Sequence, residues 1–306
     1  MYNPRLNRIL LFVTFLSSIG LLLLITLKDG KEEIEYLRLS PARNFDSVQQ
    51  LLKISVAQKK SYFPYSSKKL LLAQNIPVEL KRMTIEDKES LYISLVLPHI
   101  LIANEMVSND RLRIIELQEK TAKYQRLTFR ERSWLQKLST TYGLKTIDFA
   151  ELLKRVDNIP ASLVLAQSIL ESGWGTSRFA VSGNSLFGIR YQGRTGTTRI
   201  TNINKTVTLS SYPTIGDSVI AYFELLNSSY SYSHFRDVRA SFKASDSKPH
   251  NTVEDLCDTL TNYSELGSEY SHRLKLIINR YQLTDYDTLD FPIGSELVKV
   301  HFNRES

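Results

Sequence analysis

The segment that decides the reading is Ile159-Pro-Ala-Ser-Leu-Val-Leu-Ala-Gln-Ser-Ile-Leu-Glu171-Ser-Gly-Trp-Gly-Thr-Ser177. Pro160 stands where a first helical residue belongs, since the N–H it lacks is not needed there. The run that follows to Glu171 is apolar nearly all round, which predicts a helix buried on every side. Glu171 lies four residues after Gln167 and seven after Val164, so it shares their face. A carboxylate in that place is partly desolvated and stands at the negative end of the helix dipole. Both effects disfavour its ionised form. Ser172-Gly173 stops the helix at once, and Gly175 adds a second permissive position, leaving the carboxyl at an open edge. A carboxylic acid that keeps its proton near neutral pH is what a leaving glycosidic oxygen requires. The same spacing also fits a glutamate that simply ends a helix in water.

Working outward, Thr84 is a cap with Glu86 and Asp87 in the first turn, and Leu91, Leu95, Leu101 and Ile102 supply an apolar face. Pro98 is expected to kink or break that helix. Leu112, Ile115 and Glu119 carry a further amphipathic segment towards Tyr124. Thr128-Phe-Arg-Glu131 is a capping box before Trp134, Leu135 and Leu138, with Gly143 as the stop. Asp148-Phe-Ala-Glu151 repeats the device. Residues 195–212 are rich in Thr, Ile and Val with an Asn-rich turn at 202–204, which predicts a β-hairpin. Helical patterning resumes at 217–226, 253–260 and 270–281. The class is α+β, mainly helical with one small sheet. The expected divisions are 1–28 cytoplasmic N-terminus and transmembrane anchor, 29–83 linker or irregular segment, 84–157 helical preamble, 158–290 catalytic domain and 291–306 C-terminal tail.

From Ile9 to Leu27 there is no charged residue, and 19 residues span about 28 Å as a helix, one hydrocarbon core. Arg5 and Arg8 precede the run, while Lys28, Asp29, Lys31, Glu32 and Glu33 follow. The positive-inside rule keeps the N-terminus in the cytoplasm and exports the rest. The run is longer than a signal-peptide core and lacks a small-x-small cleavage site. An uncleaved anchor in a bacterial inner membrane is expected, with the catalytic domain in the periplasm. Residues 58–69, rich in Lys, Ser and Tyr, read as a solvated tether.

The 306 residues carry a net charge of +7, which suits acidic partners. The basic residues are scattered and form no nucleic-acid-binding motif, so nucleic acid is not an expected partner. A lone cysteine, Cys257, excludes an internal disulfide and a thiolate metal cluster. It reads as a small residue packed in a helix.

Leu-Ala-Gln-Ser-Ile-Leu-Glu-Ser-Gly-Trp-Gly-Thr-Ser, followed by Gly183-Asn-Ser-Leu-Phe-Gly-Ile-Arg190, resembles the family 73 glycoside hydrolases, which are peptidoglycan N-acetylglucosaminidases. Within that family the sequence is most similar to the bacterial Bax-like glucosaminidase-domain proteins, with further likeness at 131–135, 152–157, 212–235 and 262–264. The resemblance implies a lysozyme-like helical domain with a β-lobe, cutting the β-1,4 bond after N-acetylglucosamine in peptidoglycan. It places the general acid on Glu171 and an essential cleft tyrosine on Tyr263, with Tyr270 as second choice. Neither metal nor organic cofactor is implied.

A glycan cleft wants aromatic platforms, and Trp174, Phe187, Tyr191, Tyr212 and Tyr222 cluster around the motif. Asn184, Tyr212, Tyr222 and Tyr270 complete the expected substrate-binding set. His234, in the turn 230–235, reads as structural.

Two features depart from the family. Asn184-Ser185 replaces its Asn-Asn pair and Arg190 its lysine. More consequentially, residues 190–214 contain no Asp or Glu. A two-carboxylate hydrolase needs its partner about 5–9.5 Å away. Asp217 and Glu224 are the nearest downstream, and both read as helix surface. Attack by the sugar's own 2-acetamido group needs one acid only, and so does water held by Tyr263. Lytic transglycosylation and a non-catalytic wall-binding scaffold are the competing readings.

Overall fold

The computed structural model describes residues 36–38, 69–193, 196–243, 249–290 and 296–302. The anchor expected from Ile9 to Leu27 and most of the tether lie outside the described residues.

The longest element is α1, Ile85–Ala122, capped by the Thr84 side chain, which accepts from the Asp87 amide (3.2 Å). It continues through Pro98 as one helix, so of the expected kink or break the break does not occur, and it takes in the further segment expected near Leu112. Pro98 removes one helical hydrogen bond. The stretch around it, from Leu91 to Ala103, is almost wholly buried against the rest of the chain, and that packing outweighs the loss. By length and apolarity α1 would also cross a membrane, but 72% of its apolar window is buried inside the protein.

Next come α2, Phe129–Thr141, opened by the expected Thr128/Glu131 capping box, and α3, Phe149–Arg155, capped by Asp148. At α3 only half of the expected device forms: Asp148 accepts from the Glu151 amide, whereas the Glu151 carboxylate pairs with Arg155 at 2.7 Å. The decisive helix is α4, Ala161–Ser172, preceded by Pro160 as its N-cap. Its free first-turn groups are met from a distance. Asp287 accepts from the Ser162 amide (2.8 Å) and hydroxyl (2.7 Å). A short α5, Arg178–Gly183, leads to the expected hairpin of β3, Thr198–Thr201, and β4, Thr208–Ser211, which pair antiparallel. Asn202 closes its turn by accepting from the Thr206 and Val207 amides. Then follow α6, Ile215–Ser228, α7, Ser233–Lys243, α8, Pro249–Asp258, and α9, Ser268–Arg280. α4 packs against α1, α8, α9 and the 3-10 turn Leu283–Thr288.

The sequence reading missed a second sheet. Strands β1, Tyr36–Arg38, and β2, Lys69–Ala73, flank β5, Glu296–His301, in the order β1-β5-β2, all parallel. Residues 29–83 are therefore not all linker, and 291–306 is not a free tail. The helical body is the crossover that parallel pairing of β2 with β5 demands. Buried Asn75 clasps the end of β5, donating to the Phe302 carbonyl (2.8 Å) and accepting its amide (2.9 Å). His99 of α1 donates to the Ala73 carbonyl at 2.7 Å, and burial pushes its imidazole down to about 4, so it stays neutral. One continuous core runs from Leu72 through α1 and α4 to Phe302, and the helices of 84–157 share it.

Candidate active site

Glu171 occupies the last turn of α4, half-buried. Beyond it Gly173, Trp174 and Gly175 all take positive φ (57°, 57° and 72°), which turns the chain sharply off the helix. Gly175 is obligatory there, because an added Cβ would sit 2.9 Å from the Tyr92 ring. Trp174 is wedged edge-on between Tyr92 (5.9 Å) and Tyr281 (4.8 Å), which over-determine its left-handed backbone.

Desolvation raises the Glu171 carboxyl above its usual range, opposed by a hydrogen bond from Tyr270. The Tyr270 hydroxyl donates to Oε1 at 2.9 Å. Oε2 faces the backbone of Gly188 (φ +63°), where a Cβ would stand 2.9 Å from it. Behind Tyr270, Gln167 donates from Nε2 to the Tyr270 oxygen (2.9 Å), and Tyr222 donates to Gln167 Oε1. Burial keeps Tyr222, Tyr263 and Tyr270 protonated by raising each phenol well above its ordinary value.

Both tyrosines named from the sequence lie beside Glu171, with different contacts. Tyr263 donates to the Phe187 carbonyl (2.6 Å) and so ties down the loop across from Glu171, while its ring stacks on Tyr270 at 5.6 Å. The α9 residue Tyr270 is the one that touches the acid. Several expected sugar contacts are interior. Phe187 and Tyr222 are buried and stacked on each other at 4.3 Å, and Tyr212 is buried, so none offers a face to a ligand. Asn184 is also buried: it accepts from the Ile76 amide and donates to the carbonyls of Tyr212 and Pro213, stapling β2's exit to the hairpin. Trp174 and Tyr263 keep partial exposure, and Tyr191 is exposed.

Asp217 is used in the capping box of α6, where its Oδ2 accepts from the Thr214 amide (3.0 Å) and hydroxyl (2.7 Å). The exposed carboxylate nearest in sequence to Tyr263 is Glu265, which the sequence reading passed over. It lies 3.9 Å from Arg190 at the foot of the hairpin. Gln167 was noted only as a neighbour on the helix face, since its tyrosine partners come from α6 and α9. A cleft of about 350 Å³ opens at the other end of α4, between Asn104, Ile159, Arg239 and Tyr286, and Glu171 does not line it.

A mostly helical body with a small hairpin, carrying a desolvated, singly hydrogen-bonded carboxylic acid at an open helix end, has the components of a glycoside hydrolase. Residues 147–283 match the family model described as Glucosaminidase (Mannosyl-glycoprotein endo-beta-N-acetylglucosaminidase), a match that supports a glycoside hydrolase in this part of the chain. Over 257 residues the chain is 27% identical to Protein bax of Escherichia coli (strain K12), covering 83% of this chain and 90% of that protein. The catalytic domain of the autolysin Auto from Listeria monocytogenes is 22% identical, with 56% of this chain and 97% of that one covered at a TM-score of 0.30.

Proposed function

We propose that this protein hydrolyses the β-1,4 bond after N-acetylglucosamine in peptidoglycan, on a lysozyme-like domain, with Glu171 as general acid. The observation that carries the reading is the Glu171 carboxyl itself, desolvated at the end of an apolar helix and gripped at one oxygen by Tyr270. Its other oxygen lies over a glycine, where no side chain intervenes. The acid protonates the leaving oxygen, and with no carboxylate in 190–214 the sugar's 2-acetamido oxygen attacks the anomeric carbon from the other face. Water then opens the intermediate and returns a proton to Glu171. Trp174, Tyr191 and Tyr263 are the rings open enough to meet sugar. The segment from Ile9 to Leu27 anchors the chain in a bacterial inner membrane and places this domain in the periplasm.

The same single acid serves a lytic transglycosylase, and the carboxylate-free hairpin equally suits a protein that binds wall without cutting it. The test is digestion of purified peptidoglycan by the wild-type chain and by Glu171→Gln, with fragments read by mass spectrometry. Reducing N-acetylglucosamine ends that vanish in the variant are the expected result. Anhydro-muramic ends mean transglycosylation, and intact wall that still retains the protein means a binding role.

A further inference from the structure

The hydrogen bonds behind Glu171 run in one direction. Tyr222 is fully buried on α6, and among the described residues its hydroxyl finds its acceptor in Gln167 Oε1. That bond orients the Gln167 amide, which is also fully buried, because the opposite orientation would leave the Tyr222 proton without an acceptor. With Oε1 so engaged, Nε2 faces Tyr270 and donates to it at 2.9 Å. Tyr270 is 1% exposed and has one proton of its own, which goes to Glu171 Oε1 at 2.9 Å. A proton on Oε1 would then point at an oxygen whose own hydrogen had lost its acceptor.

We propose that Tyr222 and Gln167 are positioning residues that decide which oxygen of Glu171 carries the acid proton: Oε1 is held as an acceptor by Tyr270, and Oε2, over Gly188, delivers. The inference rests on Glu171 being the acid. It assigns work to two side chains that touch neither substrate nor the acid itself. Phenols surround Glu171 from several elements: Tyr222 on α6, Tyr232 in the turn after it, Tyr263, and Tyr270 on α9. All of them stay neutral through the range in which a raised carboxyl titrates, so the direction of their hydrogen bonds is what discriminates the two oxygens.

Removing the Tyr222 hydroxyl frees the amide to turn. Gln167 Oε1 then takes the Tyr270 proton, and protonated Glu171 donates from Oε1 back to Tyr270. The protonated form gains and its proton is misaimed, so the carboxyl titrates at higher pH while turnover falls.

The experiment titrates the full-length chain labelled with carbon-13 at the glutamate carboxyls, with the Glu171 signal assigned by its loss in Glu171→Gln. Tyr270→Phe removes the donor and is expected to raise the Glu171 midpoint by about one unit, the size of a hydrogen bond to a charged group. Tyr222→Phe, a single-atom change, is expected to raise it by about half a unit or more on the same scale. Gln167→Met added to Tyr222→Phe is expected to cancel that rise, because nothing is left to take the Tyr270 proton. Loss of packing alone lowers the melting temperature and leaves the midpoint where it was. An unmoved midpoint in Tyr222→Phe, or a rise that persists in the double variant, overturns the proposal. No substrate enters the titration, so an inactive wild type would sink the acid role of Glu171 separately.

Discussion

Gly188→Ala places one methyl group against the acid. The new Cβ stands 2.9 Å from Glu171 Oε2, and ordinary contact begins near 3.4 Å, so the carboxylate retreats by about half an ångström. Moving the end of a flexible side chain costs the fold little. The backbone adds about 1–2 kcal/mol, because φ of +63° favours glycine. At about 2–4 °C per kcal/mol the melting temperature should fall by roughly 2–8 °C. Catalysis should suffer more. The displaced acid strains its 2.9 Å bond to Tyr270, and the methyl group crowds the oxygen that faces the substrate. Since a misplacement of about 1 Å costs on the order of a hundredfold, a loss of about 10- to 100-fold in peptidoglycan solubilisation is expected. Both quantities are measured on one preparation, by thermal unfolding and by release of soluble fragments. Activity within about twofold of wild type, with the small fall in melting temperature present, would show that Oε2 is not the delivering oxygen. A variant that does not fold refutes the argument from the other side, since the strain is calculated as local.

Glu171→Gln should lower cleavage by about 10²- to 10⁴-fold. It should also change stability with a defined sign. The folded carboxyl titrates above its unfolded value, so the folded state holds the extra proton between the two, and wild-type stability falls as pH rises through that window. Melting curves across pH should show a steeper fall in wild type than in the variant, where Asp110, pushed up to about 6 by burial, still contributes one of the same sign, and the wild-type pH–rate profile should lose activity on its basic side at a pH above the ordinary carboxylate range. Asn75→Ala strips two hydrogen bonds from the backbone of buried Phe302 and is expected to cost about 2–4 kcal/mol, or roughly 4–16 °C of melting temperature. An unchanged melting curve would mean that β5 contributes little to the fold. Glu265→Gln separates the mechanisms: with the 2-acetamido group as nucleophile, turnover stays within about threefold, whereas a loss on the order of a hundredfold would make Glu265 the second carboxylate.

Local signals were legible in the sequence because their physics closes within one helical turn. The Thr128/Glu131 box, the Thr84 and Asp148 caps and the stop at Gly173 each join groups three or four residues apart. The apolar run of α4 announced its own burial, and a Thr-, Ile- and Val-rich stretch with an Asn-rich turn marked β3 and β4. The direction of the Glu171 shift was also expected from the buried face it shares with Gln167 and Val164, although the packing that desolvates it had to come from other elements.

What tertiary structure alone decided depends on partners far apart along the chain. Five residues, Lys69–Ala73, become a strand only because Glu296–His301 comes to lie beside them. Pro98 stays helical because surrounding side chains bury the turn it weakens. Asn184, Phe187 and Tyr222 looked like ligand contacts, since amides and aromatic rings serve cores and clefts equally well, and only packing shows which way they face. Tyr263 and Tyr270 sit seven residues apart with the same chemistry. The family resemblance points to a tyrosine from this stretch, but the register of α9 against α4 decides which hydroxyl meets Glu171. A hydrogen bond is set to within a few tenths of an ångström, and residue spacing fixes no distance between separate helices.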